Sequence, residues 1–427
     1  MKILNILKYL RSLGPGFISG AADNDPAGIA TYTQVGAQFG YGQLWTVIFA
    51  LPLLTATQDA CARIGAVTGK GLAAIIKDNY SAKVLYAAVF LILIANTINI
   101  GADLGAIVAA AKLIIPLPFI VIMFAFISLI LILEIFTSYK TYAKYLKWLA
   151  FLSLSYLVTV FIVQEPWGNI VKATFIPHFE FSFAFIFIIV GNIGTTIAPY
   201  LFFWETSQEV EEDKEHHLIK KNKRVLHPAA RINKIRFDNA VGMFSSQIVT
   251  WSIIVLSATV LHAHGITDLK TAADAAKALE PLVHTFPNAG FIAKLIFAVG
   301  IISAGLLVIP VLSGSVSYAL SETLNWKEGL NIKLTRAPKF YAVIIIVMLI
   351  GLITNFLGVD PIKLLIYTSV LNGIAAVPLL FLISKIARNE KIMHEHKSGL
   401  IVSTLIWITF LVMAFAAIAL FATFMKK

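Results

Sequence analysis

Eleven apolar stretches, most of them twenty residues or longer, dominate the chain and leave it one solvent in which to fold. They fall near residues 11–37, 43–64, 84–111, 116–138, 145–163, 183–210, 237–263, 291–320, 340–358, 361–386 and 400–424. About 20 helical residues cross the roughly 30 Å of hydrocarbon in a bilayer. No water is available there to satisfy backbone amides, so each stretch is expected to be a helix. Composition agrees, since 58% of the 427 residues are hydrophobic and only 13% charged, with a mean hydropathy of +0.83. The expected fold class is all-α integral membrane, with a single transmembrane domain over residues 1–427.

The segment MKILNILKYLRS is amphipathic and leads into a long first span with a polar centre, so that span is expected to be retained rather than cleaved. One cysteine, Cys61, excludes an internal disulfide framework or a thiolate cluster. The net charge of +11 invites a nucleic-acid reading, but its distribution argues for topology instead. When loops are assigned alternately to the two sides, 26 of the 34 lysines and arginines share the side of the N-terminus. By the positive-inside rule the N-terminus is cytoplasmic and, after eleven spans of the cytoplasmic membrane, the C-terminus is external. No nucleic-acid partner is expected, and the chain reads as monomeric. Trp45, Trp167 and Trp326 read as interface anchors.

The longest polar stretch, Glu209 to Arg236, reads as a solvated cytoplasmic connector. His216-His217 within it and His394-Glu395-His396 are weak metal candidates. No stretch suits a folded soluble output domain, which weakens a membrane metal sensor as the alternative of another class. No nucleophile, metal-hydrolase or phosphate-cradle constellation supports an enzyme.

Two spans are interrupted alike, the first by Asp23-Asn24-Asp25-Pro26-Ala27-Gly28 and the sixth by Thr195-Thr196-Ile197-Ala198-Pro199-Tyr200. Proline removes an amide proton and clashes with the preceding turn, so both are expected to unwind. Unwound backbone at membrane depth is tolerated only against protein, water or a ligand. Each break opens a block of five spans, about 11–163 and 183–386. Five is odd, so the second block runs in the opposite sense across the membrane, as in the inverted repeats of secondary transporters. The stretch 400–424 is then an additional helix.

Candidate site residues follow from these breaks. Asp25 is an ionisable group in the membrane, hence a ligand for a cationic substrate or the N-cap of the second half-helix, two roles that are compatible. Asp23 is a second ligand, a cap or a vestibule charge. The second break offers the carbonyls of Thr195, Ile197 and Ala198 and the hydroxyls of Thr195, Thr196 and Tyr200. All are oxygens, which suit hard cations such as Mg2+, Ca2+ and Mn2+. Glu205 is a permeation-path carboxylate or an ion-paired gate residue. Asp103 shuttles protons or accepts interhelical hydrogen bonds. Asp59 has a ready partner in Arg63, four residues on. Thr368 and Asn372 share a helical face, as ligands or as interhelical glue. Gly101, Gly105 and Ala109 permit close helix packing.

These residues resemble a known family, the Nramp divalent metal ion transporters. Gly14-Pro15-Gly16-Phe17 and Asp25-Pro26-Ala27-Gly28 are similar to its GPGF and DPGN signatures. Arg63-Ile64-Gly65-Ala66-Val67-Thr68-Gly69-Lys70-Gly71-Leu72-Ala73 is similar to its RLGVVTGKDLA stretch. Gly191-Asn192-Ile193-Gly194-Thr195-Thr196-Ile197-Ala198-Pro199-Tyr200 is similar to GxxGATVMPHN. The resemblance implies a LeuT-type fold with broken helices 1 and 6, and divalent metal as cargo rather than as cofactor. The departures are specific. Gly28 replaces the asparagine of DPGN, Ala198 the metal-binding methionine and Tyr200 the histidine. In the third span Asp103 matches one acid of the family's pair and Ile100 replaces the other. A related branch lacking the methionine is thus implied, with Mg2+ or Mn2+ favoured and proton coupling in doubt. The alternatives on the same fold are Fe3+, chelated iron, or a small amine-bearing substrate such as an amino acid.

Overall fold

The structure is a computed structural model that describes residues 14–137, 141, 154–162, 166–218, 228–283 and 288–425. Helices dominate, and no strand occurs among the described residues.

The first span is two helices, α1 (Pro15–Asp23) and α2 (Pro26–Phe39). Then come α3 (Trp45–Thr68), α4 (Ala82–Ala111), α5 (Phe119–Phe136) and α6 (Leu154–Ile162). The sixth span again divides, into α7 (Phe183–Thr196) and α8 (Pro199–Glu215). It is followed by α9 (Pro228–Leu256), α10 (Ala289–Leu324), α11 (Pro338–Thr354), α12 (Pro361–Arg388) and α13 (Leu400–Phe424). Each of the eleven expected spans therefore has a helical counterpart, although much of 145–163 lies outside the described residues. Proline opens α1, α2, α8, α9, α11 and α12, where its missing N–H costs nothing and its fixed φ suits the first turn.

Both breaks stand where the sequence places them. Between α1 and α2, Asn24 leaves the helical region at φ −89, ψ 55; between α7 and α8, Ile197 does so at φ −107, ψ 59. α2 packs against α7, and α1 packs against both α8 and α9. α1 meets α9 through glycines: a Cβ on Gly20 would run into the backbone of Gly242, and one on Gly242 into that of Gly16. Gly101 of α4 lies equally close to Gly351 of α11, and Gly105 to Asn355, which supports the packing role read for those glycines.

The outer faces match a hydrocarbon solvent. α5 and α13 bury only 28% of their most apolar windows, leaving Phe124, Ile132, Phe136, Leu411, Phe415 and Ile418 on the surface. Exposed apolar area of this extent marks contact with lipid. Trp45 donates its indole N–H to the His178 carbonyl at 3.1 Å, and Lys339 stands 5.0 Å from the Trp326 ring.

Two expectations change. The seventh span was placed at 237–263, but α9 begins nine residues earlier, at Pro228. The Glu209–Arg236 connector is not simply solvated. α8 runs on to Glu215, and Glu209, Asp213 and Arg231 are buried. The physical reason is pairing across helices. Arg231 of α9 reaches Glu209 at 2.6 Å, Asp213 at 2.9 Å and Glu212 at 3.0 Å, while Lys234 adds a contact to Glu212 at 3.1 Å. A single guanidinium with five donors can serve several carboxylates at once. Residues 219–227 lie outside the described residues.

Candidate cation site at the helix breaks

Asp25 is the N-cap of α2, in extended conformation at φ −70, ψ 170, and its Oδ1 accepts the Gly28 N–H at 2.5 Å. Capping and ligand roles thus meet in one side chain, with one oxygen holding the helix start. The N-terminus of α2 places partial positive charge beside this carboxylate. Gly28 takes part through its backbone, and a Cβ there would stand 3.1 Å from Asp25 Oδ1 and 3.2 Å from the Tyr32 ring.

Around Asp25 the other breaks and spans contribute only neutral polar groups and one more acid. Thr195 Oγ1 of α7 stands 3.4 Å from Oδ1. The Tyr200 hydroxyl of α8 and Asn99 Nδ2 of α4 each stand 3.4 Å from Oδ2. Tyr200 donates more closely to the Ala22 carbonyl, at 3.1 Å. Asn99 Nδ2 reaches Asp103 Oδ2 at 3.1 Å, and Asn372 Nδ2 of α12 reaches Asn99 Oδ1 at 3.4 Å. Four helices, α2, α4, α7 and α8, therefore meet at a carboxylate that is 1% exposed, and α12 joins them through Asn99. No lysine, arginine or histidine pairs with Asp25 or Asp103 among the described residues.

Contacts of 3.4 Å exceed the usual hydrogen-bond range of about 2.7–3.2 Å, so these donors are loosely held. Rotating the Asn99 amide by a half-turn would exchange its NH2 for its oxygen, and hydroxyls turn more easily still. The set can thus present carboxylate, amide and hydroxyl oxygens to a hard cation. It offers no sulfur or imidazole: Ala198, the N-cap of α8, is fully buried and has only a methyl side chain, while its carbonyl accepts the Leu201 N–H at 3.2 Å. Cys61 lies buried in α3, where its carbonyl accepts the Thr206 hydroxyl at 3.1 Å.

Other candidates sit elsewhere. Asp23 turns toward α9, where its Oδ2 accepts from the Ser246 hydroxyl. Glu205, buried between α1 and α8, accepts the Ser19 hydroxyl at 2.5 Å rather than an ion pair. Thr368 turns its hydroxyl back to the Leu365 carbonyl at 2.7 Å, one turn before Asn372. Asp59 pairs with Arg63 at 2.8 Å, as the spacing suggests. His216 stands 3.7 Å from Glu212 and His396 3.6 Å from Glu395; among the described residues no three His, Cys, Asp or Glu side chains converge as a metal cluster. Asn99 is the residue the sequence reading missed. Its signal was available, since it stands four residues before Asp103 and therefore on the same helical face.

The model of the Nramp family, natural resistance-associated macrophage protein-like, matches residues 16–423. A Klebsiella pneumoniae protein named divalent metal cation transporter MntH is 27% identical over 398 residues, covering 90% of this chain and 87% of the relative. The crystal structure of a manganese transporter from Eremococcus coleocola superposes with a TM-score of 0.72 at 17% identity, over 96% of this chain and 85% of that one. Mhp1, a nucleobase-cation-symport-1 family transporter, matches at a TM-score of 0.50 and 14% identity, over 96% and 93% of the two chains. The last two likenesses speak to fold alone, and the fold is the LeuT type. With a family match spanning almost its full length, the chain belongs to the Nramp family.

Proposed function

We propose that this protein carries a hard divalent cation, Mg2+ or Mn2+, across the cytoplasmic membrane by alternating access, with Asp25 as the principal ligand. One observation carries the reading: a buried carboxylate at a helix break, ringed by Asn99, Asp103, Thr195, Tyr200 and Asn372, has no protein cation beside it among the described residues. An uncompensated charge in low dielectric is costly, and a bound cation removes that cost. Asp25 and Asp103 together supply two negative charges, which balance a divalent ion. The oxygen-only donor set favours hard ions over soft ones. The names borne by the MntH relative and the manganese transporter agree with metal as cargo.

Finer features belong to the same proposal. The repeats are about 11–163 and 183–386, with 400–424 additional, in one domain that works as a monomer. The N-terminus is cytoplasmic and the C-terminus external, which puts the Arg231 cluster on the cytoplasmic side and the start of α3 on the outside. Tyr200 replaces the family's histidine, and an unperturbed phenol titrates near pH ~10 rather than near neutrality. Transport is then driven by the cation gradient and the membrane potential. The test is uptake into liposomes by the purified protein, with Mg2+, Mn2+, Ca2+, Fe2+, Fe3+ and amino acids in turn and an internal pH dye. Saturable Mg2+ or Mn2+ uptake without metal-dependent acidification is expected. Uptake of amino acids alone would overturn the assignment, and robust acidification abolished by Asp103→Asn or Glu205→Gln would overturn the uncoupled reading.

A further inference from the structure

Asp23 lies two residues from Asp25, yet its surroundings are separate. Its Oδ2 accepts from Ser246 of α9, the Ser246 hydroxyl oxygen accepts Asn24 Nδ2 at 3.2 Å, and Asn24 Oδ1 accepts the Thr250 hydroxyl at 3.3 Å. Asp23 is fully buried, and its Oδ1 has no hydrogen-bond partner among the described residues. The charge that bears on it is that of Asp25, of the same sign. Asp23 is also the last residue of α1, where the carbonyl end of the helix adds partial negative charge.

A second observation points to a ligand. Gln247, 3% exposed, has neither amide atom partnered among the described residues, and it lines a narrow recess with Thr250, Thr46, Asn192 and Thr196 at the face where α3 begins. Thr250 belongs to both the recess and the Asp23 cluster. Glu134 is a buried carboxylate too, but the hydrogen bond found for it comes from one serine, Ser313, while Glu205, beside Ser19 and the Asn239 amide, also faces the like charges of Asp238 and Glu212. The Asp23 cluster instead gathers a carboxylate, an amide oxygen and two hydroxyls.

We propose that Asp23, Asn24, Ser246 and Thr250 form a second cation site, selective for a small alkali cation such as Na+, with Gln247 lining its approach. One carboxylate among neutral oxygens balances a single positive charge, whereas the Asp25 and Asp103 pair balances two. This proposal does not rest on metal transport.

The test uses the purified full-length protein in metal-free buffer at constant ionic strength, with Na+ replacing N-methyl-D-glucamine. Na+ is expected to raise Tm saturably by about 5 °C, as binding to the folded state alone requires. Asp23→Asn should abolish that rise and Thr250→Val should weaken it, while Asp25→Ala should keep it. Should Asp23→Asn fail to fold, Ser246→Ala paired with Thr250→Val carries the same test. A wild-type Tm indifferent to Na+, Li+ and K+ would overturn the proposal, as would a pH-only response or a Na+ response lost equally in Asp25→Ala.

Discussion

Carboxylates are buried at both the centre of this molecule and the end of α8, and they are treated in opposite ways. At the α8 end, Glu209, Glu212 and Asp213 share Arg231, a cation that belongs to the chain and cannot leave. At the centre, Asp25 and Asp103 meet, among the described residues, only backbone N–H groups, side-chain amides and hydroxyls, at 2.5–3.4 Å. A structural carboxylate is satisfied by a built-in partner. One that handles a mobile ion must be left without it, at a cost in stability that the fold absorbs elsewhere. A third treatment occurs outside the spans, where Glu328, between α10 and α11, is pushed up to about 9 by burial and by neighbouring Glu322 and Glu211. It keeps its proton at neutral pH.

The largest expected effect separates centre from end. Asp25→Ala should reduce cation binding and uptake to background while the protein still inserts and elutes as a folded species, because only the N-cap is lost from the fold, at about 1 kcal/mol. Calorimetry and uptake on the same preparation decide it; an unfolded variant would mean that the central carboxylate is structural after all. Arg231→Ala should do the reverse. Stranding Glu209 and Asp213, with Glu212 left to Lys234, costs about 3–5 kcal/mol, read as a large fall in Tm, with cation affinity in the surviving folded fraction unchanged. Wild-type thermal stability in this variant would erase the contrast.

Smaller effects sharpen the comparison. Ala198→Met offers a soft sulfur at the second break and should move preference from Mg2+ toward Mn2+ or Cd2+ by roughly tenfold, about 1.4 kcal/mol. Competition curves in unchanged rank order would show that this position does not face the ion. Glu328→Gln should have the smallest effect. The folded protein holds this proton up to about pH 9, whereas the unfolded chain loses it near pH ~4.3, so stability is greatest below the lower value and falls as pH rises between the two. The substitution should flatten that part of the Tm–pH profile, and an identical slope would show that Glu328 does not set it.

The architecture was largely legible because its determinants are local. Length and apolarity mark the spans, and Pro26 and Pro199 beside Asp25 and Ala198 mark the breaks to within a residue. What escaped depends on neighbours remote in sequence. The charges from Glu209 to Arg236 look like a solvated run until α9 folds back and brings Arg231 to Glu209, 22 residues away. Asp25 is marked in the sequence by Pro26 and its N-cap position, but the role of Asp23 stays open there, and only the placement of α9, 223 residues on, turns it toward Ser246 and away from the partners of Asp25. Asn99 was overlooked because an asparagine in an apolar helix carries no charge to draw notice, although its spacing from Asp103 was already suggestive.

The glycine contact between α1 and α9 bears on how such a molecule can move. At Gly20 and Gly242 the two backbones touch with no side chain interposed, while Gly16 meets the Asn239 side chain and backbone. Interlocked side chains must unseat from one set of notches and drop into another, which resists small displacements and favours discrete jumps. Two bare backbones present a smooth bearing instead. α1, carrying Asp23 at its tip, meets α9 there without interlocked side chains, and its travel is held instead by the hydrogen bonds of Asp238 to the Gly14 and Gly16 N–H groups and of Ser246 to Asp23. A single methyl added at Gly20 would jam that bearing, and the first casualty would be travel rather than binding.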